Sequence, residues 1–330
     1  MITENTPGFD AALVWDQHGC LPLHRNSTID DLHEYVRAGF DFVSVNVGMD
    51  GPWQDTLETL MNFRGQILDN PSWTTLAGTA QEVSKAKEAG KLAVAFDLEG
   101  TEGLDGKVGL VETYYQLGVR TMLIAYNVPN RAGGGCHGDP EDGLTAFGRD
   151  VVREMNRVGM VVDATHCARR TTFDLFEHST SPVIFSHSVP SGVHRHPRNI
   201  DDDQLRECAR TGGVIGINGV GIFLGDNVTA TEDLFRAVDY AVGVAGIDHV
   251  GIGLDYVFDQ AEANGFIKDD PDSFPADGNY LPSDGAPIGF VHPRQLRELS
   301  EVLTRHGYSD SDVRAILGEN FRRVAAAVWR

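Results

Sequence analysis

Residues 160–166 have the sequence Met-Val-Val-Asp-Ala-Thr-His, and residues 182–187 have the sequence Pro-Val-Ile-Phe-Ser-His. Each stretch is a short apolar run that ends at a histidine, His166 in the first and His187 in the second. The residues between the two runs have a helical pattern, so the segment predicts a β-α-β unit with parallel strands. Both imidazoles are then expected at the carboxyl ends of neighbouring strands.

Similar apolar runs recur along the chain of 330 residues. Nearly continuous apolar runs are typical of buried parallel strands, and helical patterns with N-terminal capping signals separate them, for example at Thr145 and at Asp201 with Gln204. The predicted strands are residues 11–14, 42–45, 92–96, 121–124, 160–162, 183–185, 214–217 and 250–253. This alternation favours a (β/α)8 barrel of the TIM type, formed by residues 1–330 as a single domain. A doubly wound sheet is the alternative, but it usually has fewer strands and no G-x-G-x-x-G motif follows the first run.

Two long stretches lack regular periodicity, residues 46–73 after the second predicted strand and residues 256–293 after the eighth. The second stretch is rich in Asp, Pro and Gly. Long loops that follow barrel strands commonly cover a site, so we expect both stretches to extend over the carboxyl ends of the strands. Residues 310–328 have a helical pattern and are predicted to form the last helix.

The charge balance restricts the classes of partner. The chain has 48 Asp and Glu against 27 Lys and Arg, a formal net charge of −21, which argues against a nucleic acid or an anionic membrane as partner. The first residues lack the charged and apolar regions of a signal peptide, and no run approaches the ~20 apolar residues of a membrane span. We therefore expect a cytoplasmic protein. The four cysteines are irregularly spaced and predict free thiols.

Polar residues collect at the ends of the predicted strands. They are Asp16, His18, Glu99, Tyr126, His166, His187, Asn218 and Asp255. One such residue alone could simply cap a helix or hold a loop. For the whole set on one rim that interpretation is disfavoured, because crowded carboxylates and imidazoles would repel one another and lose hydration. A bound cation resolves this conflict, so the sequence predicts a metal site.

Several motifs have the residues and the order of a known family. They are residues 143–148, 154–160, 163–166, 182–188, 196–199, 212–218, 249–255, 307–309 and 317–321. On these motifs the chain resembles the renal (membrane) dipeptidase family, zinc peptidases of the amidohydrolase superfamily, and looks like a divergent bacterial-type member. The resemblance covers most of the chain. It implies a (β/α)8 barrel with extended loops and two zinc ions bridged by a glutamate and a hydroxide.

The resemblance also implies roles for individual residues. Glu99 is similar to the bridging carboxylate, His18 to a ligand of the first metal, and His166 and His187 to ligands of the second. Asp255 resembles the acid/base that moves a proton from the bridging water to the leaving amine. Arg198 resembles the residue that pairs with the substrate's terminal carboxylate, and we also expect Asn218 to contact the substrate.

The first-strand motif departs from the family pattern Asp-x-His-x-Asp. The chain reads Asp16-Gln17-His18-Gly19-Cys20, so a cysteine stands at the second metal-binding aspartate. A thiolate is a good zinc ligand, and we expect Cys20 to bind metal with a stronger preference for zinc over harder cations. The alternative is the loss of the first metal, which leaves one zinc ion.

A second departure follows the fourth predicted strand. Tyr126 stands where the family has a histidine that contacts the substrate. A phenol can donate a hydrogen bond to an oxyanion but cannot become a cation near neutral pH. We expect Tyr126 to polarise the substrate without shuttling protons; packing of a structural ring is the alternative.

We therefore interpret the chain as a zinc-dependent hydrolase of small amide bonds, most similar to a dipeptidase, acting on a small molecule with a free carboxylate. Two alternatives remain. One is a one-metal amidohydrolase that cleaves a different amide or a cyclic imide. The other is an inactive barrel that serves as a binding module, which the joint presence of Glu99, His166, His187 and Asp255 disfavours. The resemblance also suggests a homodimer.

Overall fold

The computed structural model describes residues 7–24, 26–282 and 284–330. Its strands are β1 Trp15–Cys20, β2 Phe42–Asn46, β3 Thr74–Leu76, β4 Leu92–Leu98, β5 Val119–Leu123, β6 Val161–Asp163, β7 Val183–Ser188, β8 Ile215–Ile217, β9 Val250–Ile252 and β10 Tyr256–Val257. Its helices are α1 Pro7–Ala11, α2 His33–Ala38, α3 Trp53–Asp69, α4 Ala80–Glu88, α5 Leu110–Leu117, α6 Ala146–Val158, α7 Arg169–His178, α8 Asp202–Arg210, α9 Gly221–Leu224, α10 Thr231–Ala245, α11 Gln260–Asp269, α12 Gln295–Arg305, α13 Asp310–Arg314 and α14 Asn320–Val328.

The strands form one parallel sheet that closes on itself. Their order is β10-β1-β2-β4-β5-β6-β7-β8-β9, and β3 pairs with β4 outside this path. The two ends of the path, β9 and β10, are joined by residues 253–255 alone. Within this link, the Asp255 amide donates to the carbonyl oxygen of His18 in β1. The predicted (β/α)8 barrel is confirmed, with β9 and β10 acting as two halves of its eighth strand.

Seven of the eight predicted strands overlap observed strands, and the first is wrong. Residues 11–14 precede β1, whose sequence Trp-Asp-Gln-His-Gly-Cys lacks an apolar run. All but its last residue are buried, because the polar side chains of this strand form hydrogen bonds inside the barrel. A search for apolar runs therefore finds the segment before the strand rather than the strand itself.

The prediction for residues 46–73 is also wrong, since α3 occupies most of this stretch. This helix buries Leu60, Phe63 and Ile67, a spacing of three and four residues that marks one apolar face. It begins after Pro52 without a side-chain cap, so the usual start signal is missing. The stretch 256–293 is irregular only in part, because it contains β10 and α11.

Other local predictions are confirmed. Thr145 caps α6 by accepting a hydrogen bond from the Gly148 amide. Asp201 and Gln204 form a capping box at the start of α8. Residues 310–328 contain α13 and α14, but the connecting segment Ala315–Glu319 kinks at Gly318, whose backbone is not helical. The predicted last helix is therefore observed as two helices.

The amino ends of the strands are closed by an apolar plug. Trp15 stacks on Phe42 with ring centroids 3.7 Å apart, and Trp329 lies 5.8 Å from Trp15. Phe321 and Val328 of α14 belong to the same buried cluster. This plug leaves the polar interior of the barrel facing the carboxyl ends of the strands. None of the described helices is both long and apolar enough to cross a membrane.

The barrel wall is tightly packed at Gly216 in β8. A methyl group added there would lie 1.9 Å from the backbone oxygen of Ser186 in β7, so the neighbouring strand would have to move. We expect Gly216→Ala to lower the free energy of unfolding by roughly 1–3 kcal/mol in urea titrations. The matched change Gly65→Ala, in α3 with open space around it, should stabilise by about 0.5–1 kcal/mol. Equal effects of the two changes on the free energy of unfolding would contradict the close approach of Gly216 to the Ser186 backbone.

Candidate active site

Three imidazoles converge on one carboxylate at the open end of the barrel. Glu99 follows β4, and its Oε1 lies 3.6 Å from Nε2 of His18, 3.3 Å from Nε2 of His166 and 3.3 Å from Nε2 of His187. Nε2 of His166 and Nε2 of His187 are only 3.0 Å apart. All four side chains are buried. Four donor atoms thus share a space of the size that a metal ion and its ligands occupy.

The other ring nitrogen of each histidine faces a protein group. Nδ1 of His18 lies 3.0 Å from Oδ1 of Asp97, and Nδ1 of His187 lies 2.8 Å from the hydroxyl of Ser186. Nδ1 of His166 lies 2.7 Å from Oδ1 of Asn127. Partners of this kind fix the ring orientation, with Nε2 of each ring directed at the shared space. The arrangement is typical of histidines that bind metals.

The clustered carboxylates of the site favour positive charge on the groups between them. Burial opposes a charge on His18, but Asp97 and Glu99 outweigh it and raise the pKa of His18 well above its usual value. Burial, together with Asp255 and Asp97, raises the pKa of Glu99 to about 8. Without a metal, a proton gives His18 a positive charge, and a proton on Glu99 neutralises its carboxylate. A divalent cation would replace those protons, since metal binding and deprotonation of ligands are coupled.

His166 and His187 have the opposite tendency. Burial lowers the pKa of both imidazoles well below the usual value, and the positive charges of Arg198 and His18 lower it further. Both rings are therefore neutral near pH 7. A neutral imidazole is the form that binds a metal ion.

Two overlapping groups of side chains have the spacing of a metal site. Ligand atoms of His18, Cys20 and Asp255 all lie within 4.8 Å of one another, and so do those of His18, Glu99 and His187. Nitrogen, oxygen and sulfur donors of this kind suit zinc. The residues present therefore fit a metal ion, and the five ligands predicted from the sequence, including His166 and Cys20, are brought together.

Cys20 ends β1 beside both groups. Its Sγ lies 3.4 Å from Nε2 of His18 and 3.5 Å from Oδ1 of Asp255. Burial raises the pKa of the thiol, and the neighbouring Asp255 and Glu99 carboxylates add to this effect. Without a cation the side chain is a neutral thiol. A metal ion at this position would favour the thiolate.

Asp255 lies in the link between β9 and β10. Its Oδ1 is 3.7 Å from Nε2 of His18, and its Oδ2 accepts a hydrogen bond of 2.9 Å from Nδ2 of Asn218. Asn218, which the sequence predicted as a substrate contact, is fully buried behind this carboxylate and also accepts from the Val220 amide. It therefore orients Asp255 in this structure.

Two site residues have strained backbones. His166 has φ of 65° and Asp255 has φ of 55°, in the left-handed region that residues other than glycine seldom adopt. Strain of this kind persists only where surrounding contacts enforce it, and it clusters at functional sites. At His166 the turn after β6 directs the ring toward Glu99. The sequence carries no signal for either conformation.

Tyr126 and Arg198 both contact His166. The ring of Tyr126 stacks on the imidazole with centroids 4.3 Å apart, and burial raises the pKa of its phenol well above the usual value. Arg198 Nε lies 3.0 Å from Nδ1 of His166, and its Nη2 donates to the backbone oxygen of His187. Arg198 is 2% exposed, so protein groups surround its guanidinium.

One predicted rim residue does not face the site, and four contributors were missed, namely Asp97, Ser186, Asn127 and Tyr280. The carboxylate of Asp16 accepts hydrogen bonds from the Tyr35 hydroxyl and from the His18 and Leu254 amides, so it fixes β1 rather than pointing into the mouth. Asn127, which holds His166, also accepts from the Tyr280 hydroxyl at 3.0 Å. Tyr280 comes from a distant loop, and no sequence pattern joins it to Asn127.

A cavity of about 430 Å³ opens over the converging groups. Glu99, His166, Tyr126, Cys20 and Asp255 lie at its base. Its walls come from α9, from α11 and from the segment that follows α11. This size is within the range of small-molecule sites, and the acid and imidazole groups at its base can bind a cation and transfer protons.

Known proteins are similar to this chain in sequence and in fold. A family model described as membrane dipeptidase (peptidase family M19) matches residues 33–269. An uncharacterized protein in the pqqA 5′ region of Klebsiella pneumoniae is 30% identical over 263 residues, which cover 76% of this chain and 88% of that protein. The match covers more than half of the chain and confirms the resemblance drawn from the sequence.

Solved structures agree with the barrel. An amidohydrolase from Pseudomonas aeruginosa has a TM-score of 0.87 and 27% identity, with 98% of both chains covered. A metallo peptidase from Rhodobacter sphaeroides, liganded with a phosphinate mimic of the dipeptide L-Ala-D-Ala, has a TM-score of 0.77 and 21% identity over 96% of this chain and 99% of that one. The second likeness shows the fold alone.

Asn127 provides a test of the metal centre. Removal of its amide takes away the partner of His166 Nδ1, and the loss of such a partner typically weakens metal binding 10- to 100-fold. We expect Asn127→Ala to raise the zinc dissociation constant by about that factor in competition titrations with a chromophoric chelator. The control Asn156→Ala alters an amide that bonds the 179–180 loop before β7 and should leave zinc affinity unchanged. Equal affinities of the two variants would contradict the role of Asn127.

Proposed function

This chain belongs to the membrane dipeptidase family of metallohydrolases that act on peptide bonds, and from that premise we propose that it hydrolyses dipeptides or N-acylated amino acids with two zinc ions. The observation that supports this proposal most directly is the convergence of three imidazole Nε2 atoms on Glu99 Oε1. Substrates with a D-configured carboxyl-terminal residue are included, because the family tolerates them.

Each candidate ligand has a place in this proposal. His18 and Cys20 would hold the first ion, His166 and His187 would hold the second, and Glu99 would contribute to both. When bound, the ions would polarise the scissile carbonyl and lower the pKa of a water molecule toward neutrality. The remaining tasks, which are to orient the substrate and to move protons, belong to side chains of this chain.

Asp255 is proposed as the acid/base. Its Oδ1 faces the His18 and Cys20 side of the cluster while Asn218 fixes its Oδ2. A carboxylate held in this way can accept the proton of the attacking water and donate it to the leaving amine. Tyr126, which remains a neutral phenol because burial raises its pKa, can donate a hydrogen bond to the developing oxyanion but cannot shuttle the proton.

Arg198 is proposed to bind the substrate carboxylate. A metal ion on Nε2 of His166 would keep the proton on Nδ1, so that Nδ1 donates to Asn127 and no longer accepts from Arg198 Nε. The Nε–H group would then be available to a carboxylate oxygen. Arginine binds carboxylates well because its planar donors match two oxygens at once.

The second candidate is a one-metal amidohydrolase that acts on a different amide or a cyclic imide. The observation that favours it is Cys20, whose thiol is held neutral by burial and by the neighbouring carboxylates. If this thiol stays protonated, the first ion loses a ligand. The two candidates differ in the metal content of the protein and in the response to replacement of Cys20.

Hydrolysis by Asp255→Asn tests the proposed acid/base. We expect the zinc-loaded wild-type protein to hydrolyse members of a panel of dipeptides and N-acylated amino acids, and the variant to lose a factor of about 10²–10⁴ in kcat with little change in KM. Amino acid release by chromatography provides the measurement. Asp272→Asn, at an exposed position after α11, is the matched control and should retain full activity. Full activity of Asp255→Asn, or no turnover of any panel member, would refute the proposal.

Cadmium substitution tests Cys20 as a ligand. A cadmium–thiolate bond gives a charge-transfer absorption in the near ultraviolet, and we expect this band in the wild-type protein because the metal stabilises the thiolate. The band should disappear in Cys20→Ala and persist in Cys208→Ala, whose thiol is buried beside the Val183 carbonyl. An unchanged band in Cys20→Ala would show that another thiol binds the metal.

A further inference from the structure

The cavity above the candidate metal centre has an apolar wall that the proposed chemistry does not use. Ile222 and Phe223 of α9, Phe266 and Ile267 of α11, and Phe274 and Ile288 of the following segment line it. Hydrolysis of an amide bond needs only the polar groups at the base of the cavity. An apolar surface of this extent therefore points to an apolar part of the ligand.

The wall is continuous from the candidate metal centre to the surface. The ring of Tyr126 stacks on His166, and the Phe274 ring lies 6.1 Å from Tyr126 in an edge-to-face arrangement. The Phe266 ring lies 5.5 Å beyond Phe274, again edge-to-face. Phe274 is buried, whereas Phe266 is 41% exposed. A group bound along this wall can thus extend from the reacting bond toward solvent.

The charges of the cavity restrict which end of a substrate can lie there. Among the described residues that line it, the formally charged ones are acidic, namely Glu99, Asp255, Asp259 and Glu262, and none is lysine or arginine. A carboxylate along this wall would meet like charge and apolar surface. Arg198 lines a different cavity of about 290 Å³, which His166 also lines.

Resting on the proposed function, we propose that the acyl half of the substrate carries a bulky apolar group that packs against Phe274 between α9 and α11. The carboxylate half is then directed away from this wall and toward Arg198. The substrate class is dipeptides with a large apolar amino-terminal side chain, or amino acids with a large apolar N-acyl group. Small acyl groups leave the wall uncovered and bind more weakly.

Two peptide series on the zinc-loaded full chain test this assignment. The first places Gly, Ala, Leu or Phe before a constant alanine, and the second places the same residues after it. Each methylene that leaves water contributes about fourfold. We expect kcat/KM to rise at least about tenfold from glycyl to phenylalanyl in the first series and to change less than about threefold in the second.

Variants of the wall provide the matched comparison. Phe274→Ala should lower the ratio of kcat/KM for phenylalanyl over glycyl substrate to near unity, and Phe274→Leu should retain part of it. Phe266→Ser, at a half-exposed ring, should lower the ratio without threatening the fold. Phe173→Ala removes a ring of α7 that contacts Arg169 and Phe176 instead of the cavity and should leave the ratio unchanged. Thermal unfolding checks that each variant is folded.

A flat first series, or a steeper second series, with active enzyme would overturn the inference and leave the proposed function intact. If no peptide is hydrolysed, the proposed function fails, and calorimetry of the same protein with N-acetyl-alanine and N-hexanoyl-alanine decides the inference. Tighter binding of the hexanoyl compound by at least about tenfold, lost in Phe266→Ser, supports the apolar wall. Equal affinities overturn it.

Discussion

The carboxylates of Asp97, Glu99 and Asp255 are gathered around the buried His18, and this concentration of negative charge is the constraint on which the site depends. Buried ions that lack a partner cost several kcal/mol each. In the absence of a metal, protons on His18 and Glu99 relieve the charge, as the raised pKa values of both groups indicate. The neutral imidazoles of His166 and His187, which lie 3.3 Å from Glu99, provide lone pairs and no charge. A cation bound among these groups would neutralise the carboxylates and accept the imidazole lone pairs.

The closure of the barrel and the geometry of the site depend on the same three residues. Residues 253–255 join β9 to β10 and carry Asp255 with its left-handed backbone. Gly253 must remain glycine, because a Cβ atom there would lie 1.8 Å from the Ser186 carbonyl oxygen. The apolar plug around Trp15 closes the opposite end. Rigid elements thus hold the reactive groups, which limits the reorganisation that catalysis would otherwise require.

Much of this architecture could be predicted from the sequence, because most buried parallel strands are apolar and seven of them were located between helical patterns. The exceptions have physical causes. β1 was misplaced since its side chains are polar where they form the site, and α3 was missed since it begins without a cap. The candidate metal ligands were proposed from strand ends and family motifs. Asn127 and Tyr280 were not identified, because their contact joins residues that lie 153 positions apart in the sequence. The apolar wall could not be predicted either, because it forms only when α9 and α11 pack together.

Metal content per chain is the most direct test of the central claim that this cluster of like charges is built for cations. Elemental analysis would be made on the full chain purified without chelator and again after zinc supplementation and removal of loosely bound metal. We expect about two zinc ions per chain, one that would be held by His18 and Cys20 and one that would be held by His166 and His187, with Glu99 contributing to both. A protein that holds no zinc even after supplementation would contradict it, and a limit of one ion would restrict the site to His166, His187 and Glu99.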